Sequence, residues 1–275
     1  MQKKIAVIND LSGYGRCSLT VAIPVLSVMG HQCCPVPTAI LSNHTEFPVY
    51  FFDDYTEKMT AYTDKWKELG LSFDAVATGF LGSEAQIEIV MDMIRNLESE
   101  ETFVVVDPVM GDHGHAYETY TPEMCEQMKE LVCMADIVLP NVTECCILTD
   151  TPYKKENWTR RELLNMAMML RLMGAKSVVI TGVREGSYYT NVVLERGQME
   201  AKFIRTRSSG GERPGTGDVF SSVVAGALLN GKSLPEAVAQ AAGFVKECIK
   251  VSDEEQIPHA NGVCFEKILG KLIKK

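Results

Sequence analysis

The 275-residue sequence has no apolar run long enough to span a membrane and no apolar segment of signal-peptide length near its start. Basic residues are in the minority, because 27 Lys and Arg against 36 Asp and Glu give a formal charge of −9. A general nucleic-acid binder needs a basic stripe for phosphate contacts, so this balance argues against one. The sequence therefore predicts a soluble, cytoplasmic protein without a membrane or nucleic-acid partner.

Metal-binding and disulfide patterns are also missing, although the chain has nine cysteines. None of them forms a C-x-x-C pair, their number is odd, and their spacing matches no zinc template. The two adjacent pairs, at positions 33–34 and 145–146, point in different directions on any regular element and cannot form one chelating face. These patterns predict reduced, mostly buried thiols.

What the sequence does contain is a regular alternation of apolar strands and amphipathic helices. Strands are predicted at residues 4–8, 33–41, 73–78, 103–106, 137–139 and 177–180, and a hairpin at 188–205. Helices follow most of them, for example at 18–29 and 83–97. Repeated β-α-β units imply a mainly parallel sheet covered on both faces. With no linker in view, we expect a single α/β domain over residues 1–275.

Two glycine motifs match nucleotide-binding patterns but have the wrong context. Residues 13–18 resemble a dinucleotide fingerprint, yet four residues separate them from the strand and no acidic residue ends the next strand. Residues 226–233 match a Walker A pattern, but no strand precedes them. There, Gly231 is predicted to end one helix, and Ser233 and Glu236 to form the capping box of the next.

The third glycine motif opens a helix. Gly215, Thr216 and Gly217 directly precede Asp218, at the start of a predicted helix over 219–229. Glycine lets the backbone approach a phosphate, and the free N–H groups of a helix start stabilise an anion. An aspartate in a first helical turn is also simply stabilising. The flanking glycines favour a catalytic interpretation, in which Asp218 takes a proton from a substrate hydroxyl and the amides stabilise the transferred phosphoryl group.

Gly-Thr-Gly-Asp at the start of a late helix resembles the signature of the ribokinase-like superfamily. Four further segments, in the same order, resemble the pyridoxal kinases within it: Ser-Gly-Tyr-Gly at 12–15, Ser-Asn-His-Thr at 42–45, Asp-Pro-Val-Met-Gly-Asp at 107–112 and Pro-Asn-Val-Thr-Glu at 140–144. Together they cover most of the chain. The resemblance implies a three-layer α/β/α sandwich with a mainly parallel central sheet. It also implies ATP-dependent phosphorylation of the 5′-hydroxymethyl group of pyridoxal, pyridoxamine or pyridoxine.

Site roles carry over by resemblance to the positions that match. The catalytic group consists of Asp218 as base with Gly215, Thr216 and Gly217. The vitamin pocket consists of Ser12, His44, Thr45, Phe80 and Asp218. Nucleotide contacts come from Asn141, Glu144, Thr181, Gly215 and Gly217, and the stretch 205–214 borders the nucleotide. Mg²⁺ is surrounded, directly or through water, by Asp107, Asp112 and Glu144.

Several alternatives stay open on the sequence. Gly-Thr-Gly-Asp also fits sugar kinases, and a hydroxymethylpyrimidine kinase of the same superfamily is a further alternative, although Ser-Asn-His-Thr at 42–45 favours the pyridine vitamin. A non-catalytic vitamin B6 or nucleotide binder would keep the fold, and Asn141 and Glu144 could merely cap a helix. The resemblance implies a homodimer. The preferred vitamer and a requirement for K⁺ are not determined.

Overall fold

The computed structural model describes residues 2–97 and 102–273. In chain order the elements are β1 (Lys4–Tyr14), α1 (Ser18–Val28), β2 (Gln32–Asn43), β3 (Phe52–Asp54), α2 (Thr56–Glu68), β4 (Ala75–Thr78), α3 (Glu84–Leu97), β5 (Phe103–Val106), β6 (Gly111–Asp112), β7 (His115–Ala116), α4 (Pro122–Cys133), β8 (Ile137–Val138), α5 (Val142–Leu148), α6 (Arg160–Met173), β9 (Ser177–Glu185), β10 (Tyr188–Leu194), β11 (Lys202–Arg207), α7 (Thr216–Leu229) and α8 (Leu234–Glu254). Two 3₁₀ helices follow, at His259–Asn261 and Glu266–Leu272.

One nine-stranded sheet runs through the centre in the order β11-β10-β9-β8-β5-β4-β1-β2-β3. The six strands from β9 to β2 are mutually parallel, while β3 at one edge and the β10–β11 hairpin at the other are antiparallel. This mainly parallel sheet confirms the fold predicted above. Parallel strands place their carboxyl ends at one edge, where open α/β sheets bind ligands.

Helices cover both faces of the sheet and complete a three-layer α/β/α sandwich. The side chains of β1 alternate, so that Ala6 and Ile8 pack into the core under α2 to α6, and Ile5 and Val7 into the core under α1, α7 and α8. A strand with a buried core on each side must be apolar on both faces, which explains the uninterrupted apolar runs in the sequence. No helix in the described ranges is both long and apolar enough to cross a membrane.

The first two strands are longer than the sequence predicted. β1 continues through Tyr14, with a register irregularity between Asn9 and Leu11, and β2 continues to Asn43. The segment at 12–15 therefore forms the end of the strand and does not follow it. Apart from Leu11 and Tyr14, residues 9–14 are polar or glycine, and pairing with β2 holds them in the sheet in place of an apolar pattern.

Other boundaries differ at loops. The helix α2 was not predicted, because its only buried side chain is Met59 and its apolar face is weak. Residues 205–207 belong to β11, so the loop predicted at 205–214 starts only at Ser208. The rejected Walker A segment lies at the end of α7 and the start of α8, with Gly231 at φ 84° and a capping box between Ser233 and Glu236, as predicted.

Candidate active site

The start of α7 requires glycine at position 215. Gly215 caps the helix with a left-handed φ of 77°. A Cβ atom there would lie 1.8 Å from the carbonyl oxygen of Arg16, so any side chain would overlap the backbone between β1 and α1. Conformation and space thus both demand glycine. The close approach brings the Asp218 turn against the carboxyl end of β1.

The first turn of α7 is suited to bind an anion. The N–H of Gly217 lies in this first turn, at the positive end of the helix dipole. The N–H of Thr216 donates to the carbonyl of Arg213 at 3.4 Å, and that of Asp218 donates to its own carboxylate. A Cβ atom on Gly217 would have no atom within 4 Å, so this side of the turn is open. The anion hole at Gly215, Thr216 and Gly217 stays a prediction.

Asp218 is held by groups from β1 and α1. The Nδ2 atom of Asn9 donates to its Oδ1 at 3.2 Å, and the backbone N–H of Ser18 also donates to its carboxylate. Burial raises the pKa of Asp218 to about 6, and the nearby charge of Asp10 acts in the same direction, while the two donors lower it. A carboxylate with this proton affinity is a suitable general base near neutral pH.

A second buried acid, Asp10, lies beside the first. Its two oxygens accept hydrogen bonds from the hydroxyls of Ser12 (2.9 Å) and Ser18 (2.5 Å). Ser18 has a φ of 53°, a left-handed conformation that is costly for a residue with a side chain. Ser18 therefore bonds both acids, with its hydroxyl to Asp10 and its amide to Asp218. Burial raises the pKa of Asp10.

Asp107 and Glu144 form the acidic floor of the same region. Burial, and then the charge of Asp218, raise the pKa of Asp107 to about 8, while a hydrogen bond with Ser221 opposes the shift. The oxygens of Glu144 accept backbone N–H groups of Met110 (3.2 Å) and Asn141 (2.7 Å). Burial, and then the charge of Asp107, raise the pKa of Glu144 as well. When these neighbouring acids are ionised they repel one another, and a bound cation would relieve that repulsion.

The three acids assigned to Mg²⁺ do not converge on one point. In the described part of the chain, no group of three Asp, Glu, His or Cys side chains is placed to share an ion. Asp112 is exposed, and Glu144 is buried in its two backbone contacts. Of the three acids, only Asp107 lies beside Asp218 with a carboxylate that could bind an ion there. This sparse set fits Mg²⁺, which keeps several waters and takes few carboxylates together with phosphate oxygens.

Asn141 and Glu144 form a complete capping box at the start of α5. The Oδ1 atom of Asn141 accepts the N–H of Glu144 at 2.9 Å, and its Nδ2 donates to the carbonyl of Gly111 at 2.8 Å. Thr181, in β9, pairs with Asn141 as an isolated parallel bridge. Asn141 and Glu144 therefore do cap α5, as the structural alternative to a nucleotide-binding role predicted. It also rigidly positions the backbone next to β9, where the nucleotide contacts were predicted.

A cavity of about 540 Å³ lies between the β9–β10 turn and the loop after β11. Its lining consists of Arg184, Gly186, Ser187, Tyr189, Ser208, Gly210, Gly211 and Glu212. Glu212 links this loop to its surroundings, because its carboxylate lies 3.3 Å from the hydroxyl of Tyr189 and 3.5 Å from Nε2 of His113. The predicted nucleotide border at 205–214 therefore does face a cavity.

The predicted vitamin residues lie on or beside the extended ends of β1 and β2. Ser12 is fully buried and its hydroxyl donates to Asp10. His44 is buried with Nε2 at 2.7 Å from the carbonyl of Ala260, and Nδ1 accepts the N–H of Glu46 at 3.4 Å. Thr45 is exposed. Phe80 is half-buried, and its N–H donates to Oδ1 of Asn9 at 2.9 Å, which connects it to Asp218.

Comparison with known proteins identifies the chain. The profile of the phosphomethylpyrimidine kinase family matches residues 23–264. The chain belongs to this family. The fold superposes with a TM-score of 0.94 on a Bacteroides thetaiotaomicron protein assigned as a phosphomethylpyrimidine kinase, in a crystal form with pyridoxal. That protein is 40% identical, and the match covers 99% of this chain and 96% of the other.

The relatives of the chain include pyridoxal kinases as well as hydroxymethylpyrimidine/phosphomethylpyrimidine kinases. The structure of pyridoxal kinase from Lactobacillus plantarum is 27% identical with a TM-score of 0.91, over 99% of this chain and 97% of that one. A hydroxymethylpyrimidine/phosphomethylpyrimidine kinase from Aquifex aeolicus is 30% identical over 64% of this chain and 67% of its own length. The likeness to pyridoxal kinases that the motifs predicted is thereby confirmed.

Two residues of the site, Asn9 and Asp10, were not predicted. In the sequence they are part of the four-residue spacer between the first strand and the glycine motif at 13–18. Asn9 contacts Asp218 and the N–H groups of Asp10 and Phe80, and Gly79 packs so closely on it that a Cβ atom would lie 2.3 Å from its Nδ2. The available signal was a pair of polar residues directly after an apolar strand, at the ligand-binding edge of the sheet.

Proposed function

We propose that the chain transfers the γ-phosphoryl group of ATP to the 5′-hydroxymethyl group of pyridoxal, pyridoxamine or pyridoxine. The observation that carries this proposal is the half-buried Asp218 in the glycine-rich first turn of α7, with its pKa raised to about 6. Membership of a kinase family and the relative crystallised with pyridoxal support it. In this proposal, residues 1–275 act as one kinase domain.

The chemistry follows from the position of Asp218. Its carboxylate takes the proton of the substrate hydroxyl, so that the oxygen can attack the γ-phosphorus. The amides of Gly215, Thr216 and Gly217 stabilise the negative charge on the transferred group. Asn9 and Ser18 hold the carboxylate in place, and this spares the reaction the entropy of orienting a free base.

The vitamin is proposed to lie between Phe80 and the ends of β1 and β2. Phe80 packs against the pyridine ring and Thr45 reaches one of its polar atoms. His44 has both ring nitrogens engaged by the backbone, so its part is to shape the pocket wall. The hydroxyl of Ser12 already donates to Asp10, so its proposed part in the vitamin pocket is to hold the Asp10 carboxylate in place.

The nucleotide is proposed to occupy the cavity of about 540 Å³ and to extend its phosphates towards α7. Thr181, Asn141 and Glu144 are proposed to contact the phosphates, and the bridge between Asn141 and Thr181 brings two of them together. Mg²⁺ would be held by Asp107, with Asp112 and Glu144 acting through water, and it would neutralise phosphate charge when bound. The acidic residues would also tolerate a K⁺ ion.

The deciding experiment is an ADP-release assay with pyridoxal, pyridoxamine, pyridoxine and hydroxymethylpyrimidine, each with and without Mg²⁺. We expect Mg²⁺-dependent ADP release with at least one B6 vitamer, and a phosphorylated vitamer by mass spectrometry. The Aquifex relative makes hydroxymethylpyrimidine the second candidate, and turnover of it alone would replace the proposal. Turnover of a sugar would point to another branch of the superfamily. Vitamer binding without ADP release would identify a non-catalytic binder.

The pH dependence of kcat/KM should report the ionisation of Asp218. Its usual pKa is near 4, and burial raises it to about 6 in the free protein. A base works only when it is ionised, so kcat/KM should fall up to tenfold per pH unit below about 6 and level off above pH 7. A rate profile from pH 4.5 to 8.5 measures this, and a plateau extending down to pH 5 would contradict it.

We also propose that the chain forms a homodimer through the segment before and within β3. Val49, Tyr50, Phe51 and Phe52 are consecutive and exposed, with Val49 at 79% and Phe51 at 64%. A contiguous apolar patch beside an edge strand is the usual mark of a protein interface. A second copy of this chain is the occupant that the resemblance to pyridoxal kinases favours.

The Phe51→Glu variant should be monomeric in light scattering, whereas the parent chain is dimeric. Charge on this patch would have to be desolvated in the interface, which is costly. Leu172→Glu is the matched control, because Leu172 is 86% exposed on α6 and away from this segment. An unchanged dimer in Phe51→Glu would remove this interface from consideration.

A cytoplasmic location is proposed on the state of the cysteines. All nine are free, and Cys133 is exposed. Free thiols persist in a reducing compartment. Cell fractionation with detection of the protein in the cytosolic fraction tests this location.

A further inference from the structure

Ser18 combines a strained backbone with a buried position next to two acids. It is the first residue of α1, and its φ of 53° is left-handed, whereas helical residues have a φ of about −60°. Cys17, directly before it, has an ordinary extended backbone. A left-handed conformation is unfavourable for a serine, and it persists only where the surrounding structure holds it. The contacts of Ser18 should therefore include the group that holds it.

Asp10 is that group. Its Oδ1 accepts the hydroxyl of Ser18 at 2.5 Å and its Oδ2 accepts the hydroxyl of Ser12 at 2.9 Å, so both oxygens of the carboxylate are fixed. The backbone N–H of Asp10 donates to Oδ1 of Asn9 at 3.0 Å, which fixes the residue from the other end. Hydrogen bonds to a carboxylate are stronger than those between neutral groups. The bond from Asp10 can therefore offset the strain at Ser18.

The strained backbone directs the N–H of Ser18 towards Asp218. Amides in the first turn of a helix have no partner within the helix, and the side chain of Cys17 makes no capping bond to them. The N–H of Ser18 donates to the carboxylate of Asp218 instead. Since φ is the torsion about the N–Cα bond, it sets the direction of the N–H relative to the side chain. With the hydroxyl of Ser18 anchored on Asp10, a change to a helical φ would turn the N–H away from Asp218.

We propose that Asp10 is a positioning residue for the reaction: through the hydroxyl of Ser18 it maintains the left-handed backbone that directs the N–H of Ser18 at Asp218. The effect on turnover rests on the proposed function, whereas the relay from Asp10 through Ser18 does not. A base that is out of line loses rate even when it still binds its proton. Neither Asp10 nor Ser18 lines the large cavity, so kcat should respond and KM for ATP should not.

Ser18→Gly and Ser18→Ala separate the backbone from the hydroxyl. Both remove the hydroxyl, but glycine adopts a φ of 53° readily and alanine does not. We expect kcat of Ser18→Ala to fall about tenfold, the equivalent of one hydrogen bond to a charged group, and kcat of Ser18→Gly to fall less than about threefold. KM for ATP should stay within about twofold in both. Equal losses of kcat, or no loss in Ser18→Ala, would overturn the relay.

Asp10→Asn and Asp10→Ala test the other end of the relay. Asparagine keeps an oxygen that can accept from Ser18, so its kcat should stay within about threefold, while alanine should lose about tenfold. In the Ser18→Gly background, Asp10→Ala should lower kcat by less than about threefold, because glycine needs no anchor. An undiminished loss in that background would show that Asp10 acts by another route and would overturn the proposal.

Asn157→Ala is the control for backbone strain. Asn157 has a φ of 64° and is exposed in the loop before α6, so alanine meets the same strain there without a bond to Asp218. Its kcat should stay within about twofold. A loss as large as that of Ser18→Ala would attribute the effect to strain in general and would contradict the role of Ser18.

Crystal structures of the parent chain, Ser18→Ala and Asp10→Ala test the relay independently of activity. We expect the N–H of residue 18 within hydrogen-bond distance of Asp218 in the parent, and a negative φ without this bond in both variants. An unchanged φ and bond in Asp10→Ala would overturn the proposal. If the parent has no kinase activity but the backbone responds as expected, the proposed function fails and the relay stands.

Discussion

Replacing Asp218 by asparagine should lower kcat by about 10²–10⁴-fold, the usual contribution of a general base. The exchange keeps the shape of the side chain, and Oδ1 of asparagine can still accept the hydrogen bond from Asn9. What is lost is the capacity to take a proton from the hydroxymethyl group. Dissociation constants for ATP and for the vitamer, measured by calorimetry, should therefore change little.

The control for this variant is Asp92→Asn. Asp92 lies on α3, where it is exposed and bonded to Arg95. The same chemical exchange at that position should leave kcat within about twofold, since surface substitutions have small effects. If Asp218→Asn kept near-normal turnover while binding both substrates, Asp218 would not be the base.

The second large effect is expected at Gly215. Alanine there would place Cβ at 1.8 Å from the carbonyl oxygen of Arg16, and its φ of 77° is unfavourable for any side chain. Left-handed strain costs about 1–2 kcal/mol and overpacking about 1–3 kcal/mol, so the free energy of unfolding should fall by about 2–5 kcal/mol. The overlap also forces the α7 turn away from β1, which displaces the amides and Asp218 together. We expect kcat to fall at least about 10²-fold.

Gly231→Ala separates strain from overlap. Gly231 has a comparable φ of 84°, but a Cβ atom there would have no atom within 4 Å. This variant should lose only about 1–2 kcal/mol of unfolding free energy in urea titrations and should keep its kcat. Equal behaviour of the two alanine variants would show that the contact with Arg16 does not matter for the α7 turn.

Local signals in the sequence predicted a large part of the fold. The capping boxes at Thr159 and Glu162, and at Ser233 and Glu236, mark helix starts that the structure confirms. The apolar strands also lie where they were predicted, because burial on both faces leaves an uninterrupted apolar run. Each of these features depends on residues that are neighbours in sequence, so a short window contains the information.

The extension of β1 to Tyr14 shows where such windows fail. Residues 9–14 contain a register irregularity, three buried polar side chains and glycine, a combination that does not predict a strand. Their extended conformation depends on hydrogen bonds to β2, about 30 residues away in the chain. The helix α2 was also missed, because its apolar pattern is weak and only one of its side chains is buried.

The sequence by itself determined the three-layer sandwich, the kinase signature at Asp218 and the resemblance that selects the vitamin. Only the tertiary structure decided that Asn9 and Ser18 hold the base, that Asp10 holds the hydroxyl of Ser18, and that Glu144 accepts the backbone N–H groups of Met110 and Asn141. The physical reason is that a helix or strand is selected by the periodicity of nearby residues. A site of this kind is assembled by contacts such as Asn9 to Asp218, which join residues 209 positions apart.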